Sequence, residues 1–278
     1  MKYTSVIILI LSAVIACNPS DKKTIDPTSE LVQKFKPFIH GVWVTADYME
    51  DISKTKSPRR SSEKIPFISE FIIDTSNITA DSINLPMAMG NHEGSNFIFY
   101  FKNGQTKNSL LTNIVSYHDE TNDIETYEIG IQIDNDTSLA LYRYDAKKNL
   151  IDKTKYIKVP GVKPGNDLES GFQYLVNKKL MTGSYKLIDT TGTQVDVRLS
   201  NDGKITGFSS FKTYYILTDF VAEVERVPDQ VCFDIQTNGQ QCFEFKINND
   251  SINLFILPDE TDTLLLRGPL VYKLIKQH

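Results

Sequence analysis

The chain has 278 residues, 40% hydrophobic and 23% charged, a composition that suits folded domains with real cores and excludes wholesale disorder. Its formal charge is −5, from 30 basic and 35 acidic residues, and only six of the basic ones are Arg. A weakly acidic, Arg-poor chain lacks the clustered positive charge that phosphate backbones attract, so no nucleic-acid partner is expected.

In chain order, Met1-Lys2-Tyr3-Thr4-Ser5 is a short, positively charged start, and Val6 to Ala16 is an unbroken run of apolar and small residues. The run suits the core of a signal peptide and is too short to cross a bilayer interior of about 30 Å as a helix. It ends in Val14-Ile15-Ala16-Cys17, which resembles the lipobox of bacterial lipoproteins. That resemblance implies removal of residues 1–16 and lipidation of Cys17, which becomes the mature N-terminus. It also implies a membrane partner through the lipid anchor and a place in the cell envelope. Asn18, rather than Asp, after the cysteine points to the outer membrane, on its periplasmic or its surface side. Acyl chains contribute about 0.8 kcal/mol per buried CH₂, so no membrane-spanning helix is needed. Residues 17–29 are polar, hold two prolines and read as a tether.

The remainder reads as two copies of one plan, over 30–160 and 161–278. Gly41-Val-Trp43-Val-Thr-Ala-Asp47 and Gly183-Ser-Tyr185-Lys-Leu-Ile-Asp189 share glycine, any residue, a large aromatic, three residues and aspartate. An amphipathic stretch precedes each. Leu31 and Phe35 lie four apart, and Pro37 is expected to end that helix. Later, Leu168, Phe172, Leu175 and Lys179 fall at helical spacing after Asn166-Asp167-Leu168-Glu169, which reads as an N-cap. A second echo pairs Ile133-Asp-Asn-Asp-Thr137 with Ile247-Asn-Asn-Asp-Ser251, each a polar turn between alternating strands. The first copy is longer, and its extra residues are placed in Tyr48 to Ile65, a polar, turn-rich segment read as a solvated loop.

Short strands dominate elsewhere: Phe71–Ile73, Phe97–Phe101, Ile114–Tyr117, Val195–Leu199, Tyr214–Leu217, Leu264–Leu266 and Leu270–Leu274. Asn201-Asp202-Gly203 turns the chain, and Asn238-Gly239 is a strong hairpin signal within Val231 to Phe245. The expected fold is therefore mainly β, with two antiparallel barrel or meander modules, each preceded by a short helix.

A short helix, then Gly-x-Trp opening the first strand of a meander, resembles the lipocalin (calycin) pattern, with Gly41 and Trp43 in the motif and Gly183 and Tyr185 at the matching places of the second copy. Together with the lipobox, the chain is similar to Bacteroidetes-type lipoproteins with tandem lipocalin-like domains. The resemblance implies that Trp43 closes one barrel end, and that the open end admits a small apolar or amphipathic ligand.

No stretch carries recognisable chemistry. Of four histidines, His118 stands in His118-Asp119-Glu120 and His92 in a polar turn, but no second ligand follows at metal spacing, and no cofactor is expected. No nucleophile elbow or phosphate-binding glycine loop is present. Cys232 and Cys242 face an oxidising compartment. A two-residue turn at Asn238-Gly239 sets Cys232 against Phe245 and Cys242 against Ile235, and keeps the sulfurs apart; a longer, bulged loop would join them. Two readings of function follow. One is an anchored carrier binding an apolar ligand inside a barrel. The other is a non-catalytic module docking an envelope protein or a glycan, its aromatics filling the barrels. An enzyme assembled only by the fold comes third.

Overall fold

A computed structural model describes residues 27–90, 93–117, 123–133, 137–165, 167–220, 227–257 and 267–277. The signal segment, Cys17, most of the tether, His92, His118-Asp119-Glu120, Asn166, Leu264–Leu266 and the middle of the first polar turn lie outside the described residues.

The first module opens with α1 (Pro27–Ile39) and β1 (Gly41–Thr45), followed by α2 (Ala46–Thr55) and α3 (Pro58–Ser61). Seven strands complete it: β2 (Ile68–Ile73), β3 (Ser82–Met89), β4 (Glu93–Asn103), β5 (Ser109–Tyr117), β6 (Ile124–Ile133), β7 (Thr137–Tyr144) and β8 (Leu150–Lys158). Each strand pairs with the next, and β8 returns antiparallel to β1, closing an eight-stranded barrel.

The second module repeats this order. After α4 (Ser170–Leu180) come β9 (Gly183–Asp189), β10 (Gln194–Leu199), β11 (Ile205–Thr206) and β12 (Tyr214–Ile216). Then follow β13 (Gln230–Phe233), β14 (Gln241–Asn248), β15 (Ser251–Ile256) and β16 (Leu270–Lys276). β16 pairs with β9 as β8 pairs with β1. Only β11 and β12 lack a ladder, and an isolated bridge between Lys204 and Thr213 joins them, so this barrel is nearly closed. The two sequence echoes fall at matching places: the glycines open the first strand of each module, and the polar turns link the sixth and seventh.

The Gly-x-aromatic motif has a physical reason. Gly41 and Gly183 have φ of 140° and 157°, where a side chain is strained, as the chain swings from helix into strand. Two residues on, the aromatic turns inward and ties the helix end to the barrel. Trp43 Nε1 donates to the Ile39 carbonyl at 2.7 Å, and Tyr185 Oη donates to the Met181 carbonyl at 2.9 Å. Trp and Tyr exchange here because each couples a large apolar body to one donor.

Four local expectations are corrected. α1 continues through Pro37 to Ile39, because Phe35 and Ile39 are buried against the barrel and that packing outweighs the proline penalty. The segment after Tyr48 is two helices and a 3₁₀ turn, with Tyr48, Met49 and Ile52 buried. α4 starts only at Ser170, and Glu169, at its N-cap with φ 66°, makes no side-chain capping bond. The fourth correction concerns the β13–β14 hairpin, whose loop runs from Asp234 to Gln240. Asp234 is drawn out of the ladder because its Oδ1 accepts the Lys212 and Thr213 amides at 2.9 and 2.8 Å. The register therefore sets Cys232 directly opposite Cys242, and the two form a disulfide.

β1 and β2 are buried on both faces. Trp43, Phe71 and Ile73 point into the first barrel, whereas Val42, Val44 and Ile72 belong to a core shared with α2, α4 and the second barrel. Tyr48 of α2 stacks on Phe172 of α4 at 4.9 Å. Gly171 permits this approach, since a Cβ there would collide with Val42.

Candidate functional site

The barrel interiors are occupied by their own aromatics. In the first, Phe71 lies 4.6 Å from Tyr156 and 5.4 Å from Phe97, whose ring is 5.1 Å from Phe99. In the second, Phe233 contacts Phe211 at 4.8 Å and Phe243 at 5.7 Å, and Tyr272 closes the set. Trp43 is fully buried in the first core and Tyr185 is buried in the second, so both serve as core and helix ties. Polar groups at the end of the first barrel bond to one another. Ser116 Oγ donates to Glu125 Oε2 at 2.7 Å, Tyr127 Oη lies 2.8 Å from Ser116 Oγ, and Arg143 pairs with Glu125 at 3.4 Å.

Open volume lies elsewhere, against the outside of the second module. Helix α4 turns Phe172, Leu175 and Val176 into the core, which leaves Ser170, Gln173, Tyr174 and Asn177 on its other side. Those four are spaced i, i+3, i+4 and i+7, one helical stripe. Tyr174 of that stripe, the Ser200–Asp202 turn, Arg198 of β10, Thr182 and Ser184 line a cleft of about 570 Å³. A second cleft of about 330 Å³ reaches Tyr214 and Tyr215, and shares Tyr174, Asn201 and Asp202 with the first. Both volumes lie in or near the range of about 300–1,000 Å³ usual for small-molecule sites. A smaller cleft of about 200 Å³ separates Ile72 and Pro86 of the first barrel from Pro164 in the connecting segment.

The cleft is held by cross-bonded amides. Asn201 Nδ2 donates to Tyr174 Oη at 3.0 Å, and Asn177 Nδ2 donates to the Asn201 carbonyl at 3.1 Å. Gln173 Nε2 reaches Asn177 Oδ1 at 3.1 Å, and Tyr214 Oη donates to the Ser200 carbonyl at 2.7 Å. Gly203 has φ 75°, and a Cβ there would sit 2.7 Å from the Tyr214 carbonyl oxygen, so the turn can press against β12 only as glycine. Asp202 is bonded by the Lys204 ammonium at 2.7 Å, and that contact, helped by Ser200, holds its carboxyl below the usual range. Arg198 and Ser184 are register partners on β10 and β9, and Arg198 has no ion pair among the described residues. The cleft thus offers a tyrosine wall, fixed amides, the hydroxyls of Thr182, Ser184 and Ser200, and one guanidinium without an ion pair among the described residues.

Of the residues singled out from sequence, the barrel motif Gly41, Trp43, Gly183 and Tyr185 is structural, and Gly183 alone also borders the cleft. Cys17 lies outside the described residues. His40 is a surface group whose Nδ1 lies 3.3 Å from the Thr75 amide. Among the described residues no group of three metal-ligating side chains converges, and no helix is long and apolar enough to cross a membrane. Tyr174, Arg198, Asn201 and Asp202 were missed. For Tyr174 the signal was the polar stripe from Ser170 to Asn177 on a helix read for its apolar face, and Asn201 and Asp202 were read only as a turn. Compared with known protein families, curated proteins and solved structures, the chain matches none, so the site is read from its own chemistry.

Proposed function

We propose that this chain is a lipid-anchored, non-catalytic interaction protein of the bacterial cell envelope, held to the outer membrane through Cys17, which contacts its partner at the cleft beside α4. The supporting observation is the distribution of volume. Packed aromatics occupy both barrels, while the two larger described clefts lie outside the second barrel and are lined by preorganised polar groups. A carrier of apolar molecules would need the reverse arrangement, an apolar hollow behind a barrel mouth. Kinship with tandem lipocalin-like lipoproteins is part of the same proposal, supported by two up-and-down barrels that each begin with helix, glycine and tied aromatic.

Two experiments test the two halves. Cys17→Ala should move the protein from the membrane to the soluble fraction of its host; retention in the membrane would remove the anchor. For the cleft, Asn201→Trp fills the space beside Tyr174 without touching either barrel core. Cross-linking on intact cells should capture a partner with the parent protein and lose it with Asn201→Trp. Unchanged capture would place the contact elsewhere.

A further inference from the structure

The lining of the cleft also restricts what it can hold. A nucleotide or phosphate ester would want several cations or a free helix N-terminus; the clefts offer Arg198 alone, and at the start of α4, where Ser170 lines the smaller cleft, the Phe172 amide already donates to Glu70. A divalent cation would want several carboxylates, and Asp202, the one carboxylate in the lining, is already bonded to Lys204. A lipid chain would want an unbroken apolar wall, and amides and hydroxyls interrupt this one throughout.

What remains is a ligand rich in hydroxyls, with an apolar face and an acid. Each hydroxyl donates and accepts, and so matches a side chain whose donor and acceptor lie in one plane, as in Asn201. Its bond to Tyr174 fixes that plane before any ligand arrives. The C–H face of a sugar ring stacks on an aromatic wall, the part Tyr174 plays between the two clefts. Arg198, exposed and without an ion pair among the described residues, presents a fork matched to a carboxylate.

We propose that the cleft beside α4 is a binding site for a carboxylate-bearing saccharide, with the acid on Arg198, one ring against Tyr174 and hydroxyls on Asn201 and Ser184. This rests on the reading of the cleft as the contact site and adds the class of ligand.

The test titrates the detergent-solubilised full chain with tri-galacturonate and with its neutral counterpart, galactotriose, by calorimetry. The acidic trimer should bind about tenfold more tightly than the neutral one, the difference expected of one charge-assisted contact. Arg198→Ala should abolish that preference, and Arg198→Lys should restore part of it. Tyr174→Ala should weaken both trimers. Arg198 is exposed, so a folded variant is expected, and an unchanged melting temperature checks this. Failure of both trimers to bind at millimolar concentration, or an acidic preference that survives Arg198→Ala, overturns the proposal. If neither trimer binds while Asn201→Trp still loses its cross-linked partner, the saccharide class alone falls. If Asn201→Trp loses nothing, the cleft reading falls with it.

Discussion

Tyr185 shows how much one oxygen atom can organise. Its hydroxyl is half of a tie between helix and barrel that the first copy makes with an indole, so Tyr185→Phe keeps the ring and deletes the bond. The Met181 carbonyl then loses a buried donor, which costs about 1–3 kcal/mol, read as a lower urea midpoint at unchanged slope. Trp43→Phe should cost more, since ring volume disappears with the donor. The disulfide makes a second prediction at this scale. A ten-residue separation between Cys232 and Cys242 closes a short loop, and loop-closure entropy sets its contribution at about 2.5–3 kcal/mol. Replacing both cysteines by serine should lower stability by that order, and a reductant should destabilise the parent protein but not the variant. The glycines and aromatics of the motif were plain in the sequence because they repeat. The bond was open to either outcome, because the side chain that lengthens the loop, Asp234, does so by reaching another hairpin.

Elements meet here through exchanged carboxylates. Glu70, on β2 of the first module, accepts the Phe172 amide at 2.6 Å and so caps α4 of the second. In return Asp229, just before β13, accepts the Arg59 amide at 2.8 Å and caps α3 of the first. Local sequence could not reveal the exchange, because both carboxylates come from another part of the chain; α3 has a local cap besides, Ser57 Oγ accepting the Arg60 amide at 3.1 Å. With Glu70 supplying its cap, α4 begins only at Ser170. Burial raises the Glu70 carboxyl from 4.5 to about 8, its amide donors notwithstanding, and burial raises Asp229 as well. The sign follows from linkage. Below pH about 4.5 Glu70 is neutral folded and unfolded, and its contribution is whole. Between there and about 8 only the unfolded carboxyl ionises, so stability declines; above about 8 the loss levels off. Glu70→Gln keeps an acceptor for the Phe172 amide without a charge. Urea midpoints should fall from pH 5 to pH 9 in the parent protein and fall less in Glu70→Gln. Equal slopes would show that Glu70 is ionised in the fold.

At the scale of the molecule, the two barrels share one core rather than a linker. Val42, Val44 and Ile72 on the outside of the first are continuous with Phe172, Val176 and the interior of the second. Heating should therefore unfold both modules in a single transition. Phe172→Ala removes the ring stacked on Tyr48, with a cost of about 3–5 kcal/mol, and calorimetry should then separate two transitions. Strand alternation and turns made the two-barrel plan legible. The joint was not, since Tyr48, Met49 and Ile52 lie within a charged segment, and their apolar face has meaning only against a neighbour that repeats the fold.

The seam between β11 and β12 has a further consequence for self-association. Free sheet margins invite other chains to add themselves, and long flat ones seed fibrils. Here the two margins are two and three residues long and are pinned by the Lys204–Thr213 bridge, so neither offers enough register for a foreign strand to zip onto. Sixteen described strands thus leave, at this seam, no margin on which a second copy could extend a sheet.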